Sequence, residues 1–391
     1  MFKSNAFYFT CGELSTCNKL IAVQHSINTG APIHFNIPTF LTDYGLHKEP
    51  KQSWSSLCKS HALYLRQKYD TVRIFYSGGC DSRTVLESFI LNDIHVDEVI
   101  VLKSGIEDAD YEINQHAIPF LKHYKNQLQK TNIKIVKPTY GDYHNFYSNP
   151  YWFEDLADKT NNKTAFHFRL NHWLENTDLY KGNGKTVDIQ GIDKPRIMYF
   201  KGQWFVYFLD VEIKYEDNKE SDWCNFFYDD PQVCSKQAHL LKHAIEKYIP
   251  YADWNKVCLG EEKYEHFYNL NAGRLDGHGA FPSKMFTKFD GTALQATMSN
   301  VKINESRSEK VFCRNNKEKI AISNIINDDI TSFNKWHRTM YELSLLGDGK
   351  WFNGGRPELG TIGVFGPFIN LKNGVVSTVD ELFPEGFNIS P

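Results

Sequence analysis

Ser77-Gly78-Gly79-Cys80-Asp81-Ser82 gathers the groups of this chain best suited to hold a polyphosphate. Ile74, Phe75 and Tyr76 precede it and read as the end of a buried strand. Ser77-Gly78-Gly79 then makes a tight turn that only small residues permit. From Asp81 to Leu91 the apolar residues Val85, Leu86, Phe89 and Ile90 recur at helical spacing. A strand, a glycine turn and a helix N-terminus make an anion site, because unpaired backbone N–H groups point at whatever sits there. Ser77 and Ser82 can donate to phosphate oxygens, and Asp81 can hold a magnesium ion. The alternative is a chance glycine turn in an ordinary strand–helix unit.

The segment resembles the SGGxDS loop of the N-type ATP pyrophosphatases, the PP-loop family, which includes asparagine synthetase, GMP synthetase and the tRNA thiolation enzymes. Every fixed position of the pattern matches, with Cys80 at the variable one. No Gly-Lys-Ser/Thr follows, so it is not a Walker A loop. The resemblance implies a Rossmann-like parallel sheet of the HUP/PP-loop type. It also implies a loop, entered from Tyr76, that grips the β- and γ-phosphates of ATP, and cleavage between the α- and β-phosphates with Mg2+. It covers residues 61 to about 200, and its closest flavour is the synthetase domain of asparagine synthetase.

A second cluster, Asp193-Lys194-Pro195-Arg196, follows a predicted strand and is expected at the same end of the sheet. Lys194 and Arg196 would stabilise departing pyrophosphate, and Asp193 would share the magnesium with Asp81. A turn with solvated charges is the other reading. In the PP-loop family the end of the second strand contacts adenosine, so backbone groups at Leu102 would read the adenine edge and Ser104 would reach the ribose. A plain strand–helix connection stands beside that reading. His239 and His243 share a helix face, but without the glutamate of His-Glu-x-x-His they read as solvent-facing or core histidines before zinc ligands.

Elements must hold these residues in place. Ser53 is a predicted N-cap for a helix over 53–69, and strands are expected at 71–76, 97–102, 133–136 and 187–192. The spacing predicts one helix from Asp110 to Gln129 and another over Ala165–Asn176. This β-α-β-α-β order argues for an α/β fold with a parallel sheet and covering helices, in which ligands bind at the carboxyl ends of strands. Ile197–Phe200 and Trp204–Leu209 read as a hairpin, Pro231–Tyr248 as a helix, Ala321–Leu346 as mainly helical and Thr361–Val379 as a terminal hairpin. The expected organisation is an irregular lead-in over 1–60, the ATP-binding domain over 61–215, and a mixed, mainly helical acceptor region over 216–391.

Composition narrows the function. A net charge of −3 gives no global basic field for nucleic acid or an anionic membrane, although a local basic groove stays open. No run approaches a membrane span and the start lacks a signal-peptide pattern, so the expected compartment is the cytoplasm. The 8 cysteines form no CxxC pair and are expected reduced and mostly buried. Phe2 stands where a glutaminase nucleophile would be, and too few residues precede Ser77 for a glutaminase domain.

The expected chemistry is adenylation. An oxygen of a small-molecule or nucleobase acceptor attacks the α-phosphate of ATP, and ammonia or an amine then displaces AMP. The nitrogen would come from solution or from a separate amidotransferase. A nucleobase or tRNA sulfurtransferase with a sulfur-donor partner, and an inactive nucleotide-binding module, remain the alternatives.

Overall fold

The computed structural model describes residues 7–16, 19–103, 110, 113–139, 142, 185–191, 195–209, 222–248, 251–254 and 365–384. Its centre is a five-stranded parallel sheet with helices, an α/β Rossmann-like arrangement. In chain order the strands are β4 (Thr71–Phe75), β5 (Glu98–Leu102), β6 (Asn132–Val136), β7 (Thr186–Gln190) and β10 (Asp222–Asn225). In space they run β10-β7-β4-β5-β6, all parallel. The chain therefore builds outward from β4 in one direction, then returns and builds in the other. The reversal falls between β4 and β7, the position at which open α/β sheets bind ligands.

The helices form where the periodicity places them. Helix α3 (Trp54–Lys68) is capped by Ser53, whose hydroxyl accepts the Ser56 N–H, and it buries Trp54, Leu57, Cys58, Ala62 and Leu65. Helix α4 (Cys80–Ile90) buries Val85, Leu86, Phe89 and Ile90 against the same core as Val72, Ile74, Val99 and Ile189. The helix expected over 110–129 differs. It is a short π-helical turn, Ile113–Ala117, followed by α5, Ile118–His123. Pro119 lacks a backbone N–H, so it starts a helix better than it continues one.

The central strands carry a row of charge across the sheet. Arg73 of β4 lies opposite Asp188 of β7 and Glu98 of β5. Its guanidinium donates to Glu98 at 2.7 Å and to Asp188 at 3.0 Å, and Lys134 of β6 reaches Glu98 at 2.6 Å. Arg73 and Asp188 are fully buried. Burial opposes ionisation of Glu98, but the bonds from Lys134 and Arg73 hold its carboxyl below the usual range.

A second core lies beside the first. Residues 7–44 form not an irregular lead-in but an antiparallel sheet of β1 (Tyr8–Cys11), β2 (Leu14–Thr16) and β3 (Ile33–Asn36), with α1 (Lys19–Thr29) and α2 (Thr39–Tyr44). A four-stranded sheet combines β8 (Arg196–Phe200) and β9 (Gln203–Leu209) with β11 (Phe365–Asn370) and β12 (Val376–Ser377). Lys201 and Gly202, at φ 48 and 76, make the left-handed turn that matches a hairpin's twist. The two sheets touch at Gly366, where an added Cβ would sit 3.1 Å from both Phe208 and Phe35. Helix α6 (Pro231–Tyr248) divides the cores, turning Val233 to the parallel sheet and Cys234, Ala238, Leu241 and Ile245 to the other. Strand β10 lies in the parallel sheet although it follows residue 215, because the β8–β9 hairpin interrupts the alternation without ending it. Helix α7 (Val379–Leu382) closes the described chain behind a Thr378–Glu381 capping box. The helices expected at 165–176 and 321–346 lie outside the described residues.

Candidate active site

Tyr76 continues the ladder past β4, donating its N–H to the Ile100 carbonyl at 2.8 Å, with its ring buried 5.5 Å from that of Phe120. The chain then reverses through Gly78 at φ +84, a left-handed conformation that glycine adopts without penalty. Gly79 caps α4 with no side chain to offer, and the two serines brace the loop on either side of it. The buried Ser82 hydroxyl donates to the Gly79 carbonyl at 3.1 Å and accepts the Ser77 N–H at 3.3 Å. The exposed Ser77 hydroxyl lies 3.2 Å from it and accepts the Gly79 N–H at 3.4 Å. The loop is thus closed on itself and opens the start of α4 toward the carboxyl edge of the sheet. Asp81 stands half-buried in the first turn, where the helix N-terminus favours a carboxylate.

Neighbouring loops press on this one from both sides, and glycine makes both approaches feasible. A Cβ on Gly78 would lie 2.8 Å from the Ala117 backbone nitrogen, so the π-helical turn after β5 forms one wall. A Cβ on Gly191, the residue after β7, would lie 2.8 Å from the Asp81 carbonyl carbon and 2.9 Å from the Ser82 nitrogen. The loop therefore occupies the topological switch point between β4 and β7. Lys103, just past β5, is held by Asn114 at 2.7 Å, and Arg83 covers the Phe120 ring at 4.8 Å while pairing with Glu87.

This donor set fits a polyphosphate with a hard cation: two hydroxyls, the amides of a helix start, one carboxylate, and backbone unobstructed by side chains. Of the other sequence-predicted residues, Leu102 is the last of β5 and half-buried. Arg196 opens β8 opposite Tyr207. Ser104, Asp193 and Lys194 lie outside the described residues. Asp110, ahead of the π-helical turn, is buried, and its carbonyl accepts the Asn114 N–H. Gly191 as a packing contact, Ala117 and Lys103 were not legible as site residues. Each acts through a neighbour distant in sequence, and only the glycine before Ile192 was a signal.

A second buried polar group sits under α6. Asp230 caps that helix through the Gln232 N–H at 2.8 Å and lies 3.6 Å from His61 Nδ1, while Cys224 Sγ is 3.9 Å from His61 Nε2. The layout has the order of a cysteine–histidine–aspartate relay, but its environment is wrong for a nucleophile. Desolvation pushes the Cys224 thiol well up and drops His61 to about 4, against the pull of Asp230. Cys11, Cys58 and Cys234 are likewise buried with raised thiols.

No family model, curated protein or solved structure matches the chain. No helix among the described residues is long and apolar enough to cross a membrane.

Proposed function

We propose that the chain is a cytoplasmic ATP pyrophosphatase of the PP-loop type, with the HUP form of the Rossmann-like fold, which adenylates an acceptor oxygen and releases pyrophosphate. The observation that carries this reading is the position of Ser77–Ser82 at the switch point of the parallel sheet, with Gly78 and Gly191 bringing backbone against it from both sides. A loop so placed meets a nucleotide's phosphates at a helix start, where catalysis is positioning and charge neutralisation. The Ser77 and Ser82 hydroxyls and the first amides of α4 would hold the β- and γ-phosphates. The carboxyl end of β5, at Leu102 and Ser104, would take the adenosine. Asp81, with Asp193, would hold a magnesium ion, which neutralises phosphate charge. Lys194 and Arg196 would steady the leaving pyrophosphate.

An amine or ammonia as second nucleophile is favoured over sulfur by one observation. The four cysteines described as free, Cys11, Cys58, Cys224 and Cys234, are all buried with raised thiols, a poor state for carrying sulfur. Sulfur transfer would fall to Cys80 or to cysteines outside the described residues. The first test is ATP incubated with the protein and candidate acceptors, with AMP and pyrophosphate measured. Asp81→Ala should abolish their release and leave the circular dichroism unchanged, because Asp81 lies outside the core. Wild-type release from that variant, or ADP and orthophosphate as products, overturns the reading.

A further inference from the structure

Helix α6 carries His239 and His243 one turn apart, and the segment between α2 and α3 brings Glu49 to them. Each of the three offers one ligand atom, and these atoms lie within 4.8 Å of one another. Glu49 is almost two hundred residues away in sequence, so the pair lacked a visible third ligand until the chain was folded.

We propose that Glu49, His239 and His243 form a binding site for a divalent transition cation of the zinc class, separate from the candidate nucleotide site and independent of the function assigned to it.

Three features support a built site. His239 has a hydrogen-bonded outer partner on one ring nitrogen, the arrangement that orients metal-ligating imidazoles, and His243 has a carboxylate close to one of its own. His239 Nε2 lies 3.2 Å from the Leu46 carbonyl, which can only accept, so the proton sits on Nε2 and the lone pair on Nδ1. His243 Nδ1 lies 3.6 Å from the Glu246 carboxylate, while its Nε2 faces Glu49 at 3.0 Å. The segment carrying Glu49 is also fixed in place. Ser235 donates to the Leu46 and Lys48 carbonyls at 3.0 and 2.9 Å, and Lys236 to the Pro50 carbonyl at 3.1 Å.

The protonation states suit a cation as well. Desolvation lowers His239, which keeps the imidazole neutral. Burial opposes ionisation of Glu49, yet hydrogen bonds from His243 and Lys236 hold its carboxyl at about 2, so the carboxylate is ionised and a bound cation would take the place of the proton on His243 Nε2. Two nitrogens and one carboxylate oxygen match zinc, cobalt or nickel better than magnesium or calcium. Metal–ligand bonds of about 2.0–2.1 Å need donors roughly 3.3 Å apart. Glu49 and His243 are exposed, so they can close that gap without moving the helix. Lys236 Nζ at 2.7 Å from Glu49 Oε1 opposes a cation and limits affinity. Three ligands leave a position for water. The site lies about 12 Å along α6 from Pro231, at ~1.5 Å per residue. Its effect would be to staple the 46–50 segment to α6.

The full-length protein, stripped with chelator, is titrated with Zn2+ by calorimetry and with Co2+ by absorption, at neutral pH. One site with nitrogen and oxygen ligation and no thiolate charge-transfer band is expected, with a rise in Tm that Mg2+ does not reproduce. His243→Ala and Glu49→Gln should each weaken this site by about 100-fold or more, and Glu246→Gln by ~10-fold. Lys236→Met should tighten it. Both ligand positions are exposed, so these variants should keep the metal-free circular dichroism of the wild type and lose no more Tm than an exposed ion pair is worth. The proposal is overturned if the wild type binds no zinc below millimolar concentration. It is equally overturned if His243→Ala and Glu49→Gln bind zinc with wild-type stoichiometry and affinity, which would place the metal at other residues and leave a plain histidine–glutamate ion pair here.

Discussion

Replacing Gly191 with alanine adds one methyl group at the narrowest point of the candidate site. That carbon would lie 2.8 Å from the Asp81 carbonyl carbon, 2.9 Å from its oxygen and 2.9 Å from the Ser82 nitrogen. Relief requires a movement of about 0.6 Å to reach the near edge of ordinary contact at 3.4 Å. All three obstructing atoms are backbone in the first turn of α4, and Val85, Leu86 and Phe89 anchor that helix in the core. The strain cannot be discharged into a side chain. It should cost about 1–3 kcal/mol, as overpacking does. It should also shift Asp81 and Ser82 by a distance that, near 1 Å, lowers turnover roughly 100-fold. Pyrophosphate release should therefore fall about 10- to 100-fold, with Tm reduced by several degrees. Gly202→Ala is the control. It has left-handed φ +76 but nothing within 4 Å of the added carbon, so it should lose stability alone. Wild-type turnover and wild-type Tm in Gly191→Ala would refute the close approach of β7 to the loop.

Removing Arg73 takes a cationic partner from the buried Asp188 and from the half-buried Glu98, which keeps Lys134, so Arg73→Met should lower unfolding free energy by about 3–5 kcal/mol at constant urea m-value; a loss under 1 kcal/mol would contradict the charge row. Lys194→Ala and Arg196→Ala should each lower turnover by ~2–4 kcal/mol of transition-state stabilisation, with smaller effects on adenosine affinity, and unchanged kinetics in both would reduce that segment to a turn. The polar group under α6 predicts opposing pH effects. His61, lowered to about 4 by desolvation, contributes stability that is full above its unfolded value of 6.5 and lost as pH falls toward 4. Asp229, next to Asp230 and accepting the Asn225 N–H at 3.1 Å, is raised to about 7 chiefly by desolvation and contributes in the reverse sense, with stability full below 3.8 and lost as pH rises toward 7. The two largely cancel in the wild type. Asp229→Asn should leave stability rising from pH 4 to 6.5, and His61→Asn should leave it falling, each by at most ~1.4 kcal/mol per pH unit and less where Asp229 keeps solvent contact. Chemical denaturation across that range would read both slopes, and slopes of the same sign would contradict these two burial effects.

The sequence alone determined what depends on near neighbours. Alternation of apolar runs and amphipathic stretches was enough for β4, α4, β5 and β7, because burial on both faces of a central strand and one face of a helix leaves a periodic trace, and the short apolar run of β6 was read the same way although Ile133 and Ile135 are exposed at the sheet edge. Ser53, the Lys201-Gly202 turn and Pro231 marked ends correctly because capping and turn chemistry act within a few residues. The Ser77–Ser82 loop was legible for the same reason, since a strand, a turn and a helix start are contiguous. Pro119 was a local signal passed over inside an apolar pattern that looked helical throughout.

Tertiary structure decided what depends on distance along the chain. The strand order, and with it the switch point, follows from which side of β4 the chain returns to after β6, and no local pattern encodes that choice. Gly191 is a glycine after a predicted strand, but its close packing on the start of α4 exists only once β7 lies beside β4. Arg73 and Asp188 are charges that break two apolar strands until register sets them opposite one another. The β8–β9 hairpin reads as an independent unit, yet it is paired by β11 from far down the chain and completes a core begun at Phe9 and Phe35. Glu49 meets His243 only because Leu46, Lys48 and Pro50 are bound to α6. Backbone conformation and capping are local terms in the free energy. Sheet order, register and side-chain ligation are satisfied only when separated segments close on one another, and a linear pattern carries little trace of them.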